Sequence, residues 1–175
     1  MGLFIFVALS LIVTSALICV QAKARKLAGT DWNTLVARIQ PVPFEALEKV
    51  ALDNLQPRGQ QLQLEANEIW LLVGGLDGLK RMNHNADLMI QLAAYVRIWN
   101  FDEAVIVAER IRQDAIILKR ALHRIKLQRV FRAYRLRVPF YAYQGATAYY
   151  LMTRRLLALY ETNQYILYPR LAAAL

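Results

Sequence analysis

Leu3 to Val20 reads LFIFVALSLIVTSALICV, eighteen residues without a charge, a glycine or a proline. As an α-helix at ~1.5 Å per residue it is about 27 Å long, close to the ~30 Å hydrocarbon layer of a bilayer. Gln21 and Ala22 extend it, and the hydroxyls of Ser10, Thr14 and Ser15 can bond back to helix carbonyls, so insertion is not forbidden. The run predicts a single transmembrane helix over residues 1–22. Processing signals fit it less well. A secretory signal wants a positive n-region and a small-residue cleavage site, but Met1-Gly2 carries no basic side chain and Ala22-Lys23-Ala24 has a lysine in its middle. A lipoprotein signal ending at Cys19 would want small residues before it, where Leu17 and Ile18 stand. Myristoylation at Gly2 wants Ser or Thr at position 6, which is Phe6.

Lys23, Arg25 and Lys26 follow the apolar run directly, and no basic residue precedes it. The positive-inside rule then predicts the N-terminus outside and the C-terminal domain cytoplasmic, in a single-pass protein of the cell membrane. Residues 23–30 form a basic juxtamembrane linker, and residues 31–175 a helical domain. Cys19 falls near the cytoplasmic end, reduced and packed as a small apolar residue. As the one cysteine, it excludes an internal disulfide. Ser10-x-x-x-Thr14 has the small-xxx-small spacing that supports helix pairing in lipid, hence a homo-oligomer.

Beyond the anchor the pattern is helical throughout. Hydrophobic residues make up 57% of the chain, with seven Gly and five Pro, which excludes a disordered or collagen-like chain. Thr30-Asp31 reads as an N-cap for a short helix carrying Trp32, Leu35, Val36 and Ile39, stopped by Pro41 and Pro43. Phe44, Leu47, Val50, Ala51 and Leu55 form the next stripe, ended by Pro57-Arg58-Gly59. A third helix is predicted from about Leu64 to Met82. Its Gly74, Gly75 and Gly78, each costing up to ~1 kcal/mol against Ala, imply close backbone packing, a kink or a helix end. Asn83–Asn85 predicts the break before a fourth helix to Trp99. A fifth runs from about Asp102 to Arg137, ended by Pro139, and a sixth from about Ala142 to Leu167, closed before Pro169. No segment alternates as a strand. The fold class is all-α: a transmembrane helix followed by a bundle of about five helices.

The excess charge is concentrated. Arg110 to Arg137 holds ten basic residues against the single acid Asp114, a net +9, and the remainder of the chain balances to zero. Within this segment Ile111, Ala115, Leu118, Leu122 and Ile125 make one apolar stripe. Leu127, Phe131, Tyr134 and Val138 line up about 180° around, at 100° per residue. Arg129 and Arg132 then fall on the continuation of the first stripe, so one straight helix cannot bury both. Either it bends near Lys126 or its second half meets another partner. Arg124, Arg129, Arg132 and Arg135 are therefore the candidate binding residues, on a basic surface facing anionic lipid headgroups or an acidic protein. Eight of nine tyrosines lie between Tyr134 and Tyr168, and Val138–Thr153 is uncharged, which fits a buried or interfacial helix. Ala146, Tyr149, Tyr150, Thr153, Leu156, Leu157 and Tyr160 form a core stripe within it. Phe131-Arg132-Ala133-Tyr134-Arg135 interleaves aromatics with arginines, but no nucleic-acid motif accompanies it, which weighs against a nucleic-acid partner.

No catalytic constellation assembles. His84 and Asp87 share a helix face, two ligands where a metal needs three or four, and Glu65 and Glu68 carry no Glu-x-x-His. Structural roles are the expectation for both histidines, with no metal or cofactor. Gly74-Gly75-Leu76-Asp77-Gly78-Leu79-Lys80 lacks the phosphate-loop spacing, so Gly74-x-x-x-Gly78 reads as a helix contact surface. No Gly-x-Ser-x-Gly is present. The leading expectation is a non-enzymatic membrane-anchored interaction or scaffold domain. The alternatives are an enzyme of membrane lipids or an accessory subunit of a membrane enzyme complex, and membrane-tethered nucleic-acid binding.

Overall fold

The computed structural model describes residues 31–56, 63–96, 101–130, 138–163 and 166–175. Among these every regular element is a helix: α1 (Trp32–Ala37), α2 (Phe44–Leu55), α3 (Ala66–Leu72), α4 (Gly75–Val96), α5 (Phe101–Val130), α6 (Val138–Asn163) and α7 (Tyr168–Ala172). The predicted anchor over residues 1–22 and the basic linker over 23–30 lie outside the described residues. Among the described residues no helix is long and apolar enough to cross a membrane. Contacts divide the chain into two units, Met1–Thr34 and Leu35–Leu175. In the first, Asp31 caps α1 as its sequence position predicts, its carboxylate accepting the Asn33 N–H at 3.1 Å. The second is an all-α bundle.

α6 is the element the bundle is built on, packing against α2, α3, α4, α5 and α7. A helix so surrounded must be apolar on nearly every side. The uncharged stretch supplies this: Tyr141, Ala142, Tyr143, Gly145, Ala146, Ala148, Tyr149, Tyr150 and Met152 are all buried. Of the predicted core stripe, Leu157 alone is only half-buried. Gly145 marks the tightest crossing, where an added Cβ would lie 3.3 Å from both Leu118 Cδ1 of α5 and Leu79 Cδ2 of α4.

The tyrosines explain themselves by their tips. A buried phenol ring contributes apolar area, and its hydroxyl then needs a partner. Tyr143 donates to the Asp53 carboxylate and Tyr150 to Glu48 Oε1 at 3.0 Å, both on α2. Tyr160 donates to the Leu92 carbonyl of α4 at 3.0 Å, and the Tyr149 hydroxyl accepts Asn85 Nδ2 at 3.0 Å. Four tyrosines of one helix thus reach two neighbours, each bond worth about 1 kcal/mol net.

Three predicted boundaries are corrected. The break expected at Asn83–Asn85 falls instead at Gly74 and Gly75, whose φ of 73° and 62° only glycine adopts cheaply. α4 runs straight through Asn83-His84-Asn85 because the Asn85 amide has long-range partners that outweigh local turn preference. Its Oδ1 accepts the Gln40 N–H at 2.9 Å and its Nδ2 donates to the Gln40 carbonyl at 2.7 Å, as a second backbone would. Gly78 is no helix–helix contact point: its missing Cβ admits the Val73 backbone carbonyl as the α3–α4 turn closes on itself. Lastly, Pro139 and Pro169 do not end helices. They stand in the first turns of α6 and α7, where a missing N–H costs no helix bond.

Candidate functional surface

α5 is the longest helix among the described residues, at 30 residues. Ile111, Ala115, Leu118, Leu122 and Ile125 are all buried against the bundle, as their spacing predicts. Leu127, which opens the predicted second stripe, is exposed, and Val138 belongs to α6 rather than to the same helix. The second stripe is thus divided between helices, Leu127 on α5 and Val138 on α6. Phe131 and Tyr134 lie outside the described residues.

The single acid of the basic segment is used inward. Asp114 is buried and forms an ion pair with Arg155 of α6. Burial and the nearby Arg110 charge hold Arg155 below its ordinary range, yet an arginine there stays protonated. The pair ties the two most extensively packed helices together, and Asp114 does not neutralise the outward basic residues.

Of those, Arg112 pairs with Glu109 at 2.7 Å and Lys119 with Asp87 of α4 at 2.6 Å. Exposed pairs of this kind contribute ~0–1 kcal/mol. Arg110, Arg120, Arg124 and Lys126 are exposed, with no acidic partner among the described residues. Arg124 lies over the Tyr141 ring of α6, 5.2 Å from its centroid. Of the four arginines singled out from the sequence, Arg124 is thus on the open side of α5. The side chain of Arg129, and Arg132 and Arg135 entirely, lie outside the described residues, as do Lys23, Arg25 and Lys26.

Apolar side chains share that open side, which sequence reading missed. Val105, Ile106, Ile116, Ile117 and Leu127 are exposed, Ile106 to 63%. The signal was available, since at 100° per residue none of them fits the Ile111–Ile125 stripe. Ile116, Lys119, Arg120, His123 and Arg124 line a shallow concavity of about 360 Å³ along the helix.

The residues weighed for catalysis do not converge. His84 Nε2 is 3.3 Å from the Arg38 carbonyl, Asp87 is engaged by Lys119, and Glu68 by Lys49 at 2.9 Å. No cluster of three or more His, Cys, Asp or Glu exists among the described residues. A hollow of about 870 Å³ between the α3–α4 turn and the start of α6 is lined by Asn67, Trp70, Gly75, Gln128 and Pro139, with Asp77 as the acid among its described lining residues. Asp53 is structural. Burial raises its pKa, but the Tyr143 hydroxyl, the Gln63 and Leu64 N–H groups and Lys49 outweigh this, leaving its carboxyl below the usual range. Burial and that carboxylate push the Tyr143 phenol up.

No protein-family model matches the chain. No curated protein and no solved structure matches it either.

Proposed function

We propose that this is a single-pass membrane protein whose helical domain lies on the cytoplasmic side, with the open face of α5 against anionic lipid. Its role is to hold that domain, and whatever it assembles with, at the membrane surface. The observation that carries the reading is the composition of one helix face. Arg110, Arg120 and Arg124, cations without acidic partners, share that face with exposed Ile106, Ile116, Ile117 and Leu127, all within an arc of about 120° at 100° per residue. Single exposed apolar side chains are ordinary on a solvated face, but a run of them interleaved with unpaired cations along one arc is the pattern of an interfacial helix. A bilayer interface takes both, apolar side chains toward the acyl boundary and basic ones toward phosphate. The apolar run Leu3–Val20 and the basic residues behind it support the location.

Each basic residue near an anionic leaflet adds ~1 kcal/mol, so Arg110, Arg120 and Arg124 together supply about 3 kcal/mol at low salt. A chain starting at Leu27 is expected to cosediment with anionic vesicles about a hundredfold more strongly than with neutral ones, and to release as salt rises. The full chain is expected to resist alkaline carbonate extraction. Equal binding to neutral vesicles would remove the lipid-facing role. Recovery of a mature soluble form lacking the first ~22 residues would remove the anchor.

A further inference from the structure

The concavity on α5 is amphiphilic in a specific way. Ile116, His123 and the aliphatic stems of Lys119, Arg120 and Arg124 line it, so its surface is almost wholly apolar and the charged ends of the arginines lie outside that lining. Arg120 and Arg124 are one helical turn apart, with Cβ atoms about 5–6 Å from each other, a separation one phosphate group can bridge. Lys119 brings no net charge to the rim because Asp87 neutralises it at 2.6 Å. The uncompensated charge is therefore that of the two arginines. Arg124 is also held in place. Its guanidinium carbon lies 5.2 Å from the centroid of the Tyr141 ring, a cation–π contact that limits where the group can go.

We infer that α5 seats a single anionic phospholipid here, its phosphomonoester clasped between Arg120 and Arg124 and its acyl end along Ile116 in the apolar concavity. The inference rests on the reading that α5 faces the bilayer. Charge complementarity selects the headgroup. A phosphomonoester carries about −1.5 to −2 at neutral pH and matches two arginines, whereas a phosphodiester carries one charge and leaves one arginine unmatched. Guanidinium forks bond phosphate oxygens in pairs, so the preference exceeds what diffuse attraction gives. Tyr141 is a positioning residue that acts through Arg124.

The test uses the full chain in a non-ionic detergent, where the charged bilayer surface is absent. Binding of short-chain phosphatidate, of phosphatidylglycerol and of inorganic phosphate is read by native mass spectrometry. Phosphatidate is expected to bind at least about tenfold more tightly than phosphatidylglycerol, as one extra charge-assisted bond implies, and than inorganic phosphate, which has no acyl chain to lie along Ile116. Arg120→Gln with Arg124→Gln abolishes that preference. Arg110→Gln with Lys126→Gln, which removes the same charge elsewhere on α5, keeps it. Tyr141→Leu weakens phosphatidate binding about threefold or more and Tyr141→Phe restores it, because the ring face and not the hydroxyl holds Arg124. Equal losses in the two double variants, or no phosphatidate preference, would overturn the seat and leave the membrane-facing reading intact, since that reading needs only diffuse attraction. Inorganic phosphate binding as tightly as phosphatidate would also overturn it, in favour of a soluble anion. Both double variants change exposed side chains only, so the comparison does not depend on how Tyr141→Leu folds.

Discussion

Replacing Asn85 by Ala tests why α4 continues where its sequence invites a break. The side chain is fully buried, and its amide makes three hydrogen bonds: from the Gln40 N–H at 2.9 Å, to the Gln40 carbonyl at 2.7 Å and to the Tyr149 hydroxyl at 3.0 Å. Truncation leaves both Gln40 backbone groups without their partner. An unsatisfied buried group costs ~1–3 kcal/mol, and the low end applies because the Gln40 bonds are only part-buried, so the sum is about 2–4 kcal/mol. Tyr149→Phe is the control. It removes one hydroxyl, orphans one buried Asn85 N–H and leaves the Asn85–Gln40 pair whole, and is expected to cost about 1 kcal/mol, the low end for such a group. In a chain of this size 1 kcal/mol moves the melting temperature by ~2–4 °C. Thermal melts of the full chain in mild detergent, followed by far-UV circular dichroism, should show Asn85→Ala lower by about 5–15 °C and Tyr149→Phe by only about 2–4 °C. The double variant should fall short of the sum, because the two side chains touch. If the single variants melt together, the Gln40 pairing contributes nothing and the account of the continuous α4 is wrong.

Leu118→Ala, at a position with no exposed surface beside Gly145, should lower stability by ~2–5 kcal/mol by denaturant titration, and a near-neutral result would show that the α5 stripe is not core. Gly78→Ala should destabilise more than Gly145→Ala, because its Cβ meets the Val73 backbone, which cannot move aside as the Leu118 and Leu79 side chains can; calorimetry ranks the two. The depressed pKa of Asp53 means that its contribution is fully present above the unfolded value of ~3.9 and is lost as pH falls through the lower folded value. Melting temperature should therefore drop on acidification, and Asp53→Asn should flatten that part of the pH profile. Tyr143 works in the opposite window: its raised pKa makes stability fall as pH rises past ~10, a loss that Tyr143→Phe should remove.

The all-α class and the inner face of α5 were legible because they follow from spacing, which a helix converts directly into a buried stripe. Asp31 as a cap was legible for the same local reason. What spacing could not reveal was anything decided by a distant partner. Asn83-His84-Asn85 has every local mark of a break, and only Gln40, 45 residues away in sequence, explains why the helix passes through it. Pro139 was misplaced because proline punctuates helices at either end, and the choice depends on where the following helix packs. Asp114 looked like a lone counter-charge within the basic segment. Its pairing with Arg155 becomes visible only when α5 and α6 are side by side. For the candidate surface, Arg124 was found by charge density alone. The exposed isoleucines around it fall outside the core stripe, and spacing alone does not tell an exposed apolar side chain from one packed on a second neighbour.

The most direct test of the lipid-facing α5 is its depth relative to a bilayer. The full chain carrying Cys19→Ser is spin-labelled at Ile117 on the open face of α5, or at exposed Glu45 on α2, and reconstituted in liposomes. Electron paramagnetic resonance then compares collision of each label with oxygen and with a water-soluble nickel chelate. In anionic liposomes the Ile117 label should be shielded from the chelate and relaxed by oxygen, at headgroup depth. It should return to water in neutral liposomes or at high salt, while the Glu45 label stays aqueous throughout. An Ile117 label equally open to the chelate in anionic and neutral liposomes would contradict the account.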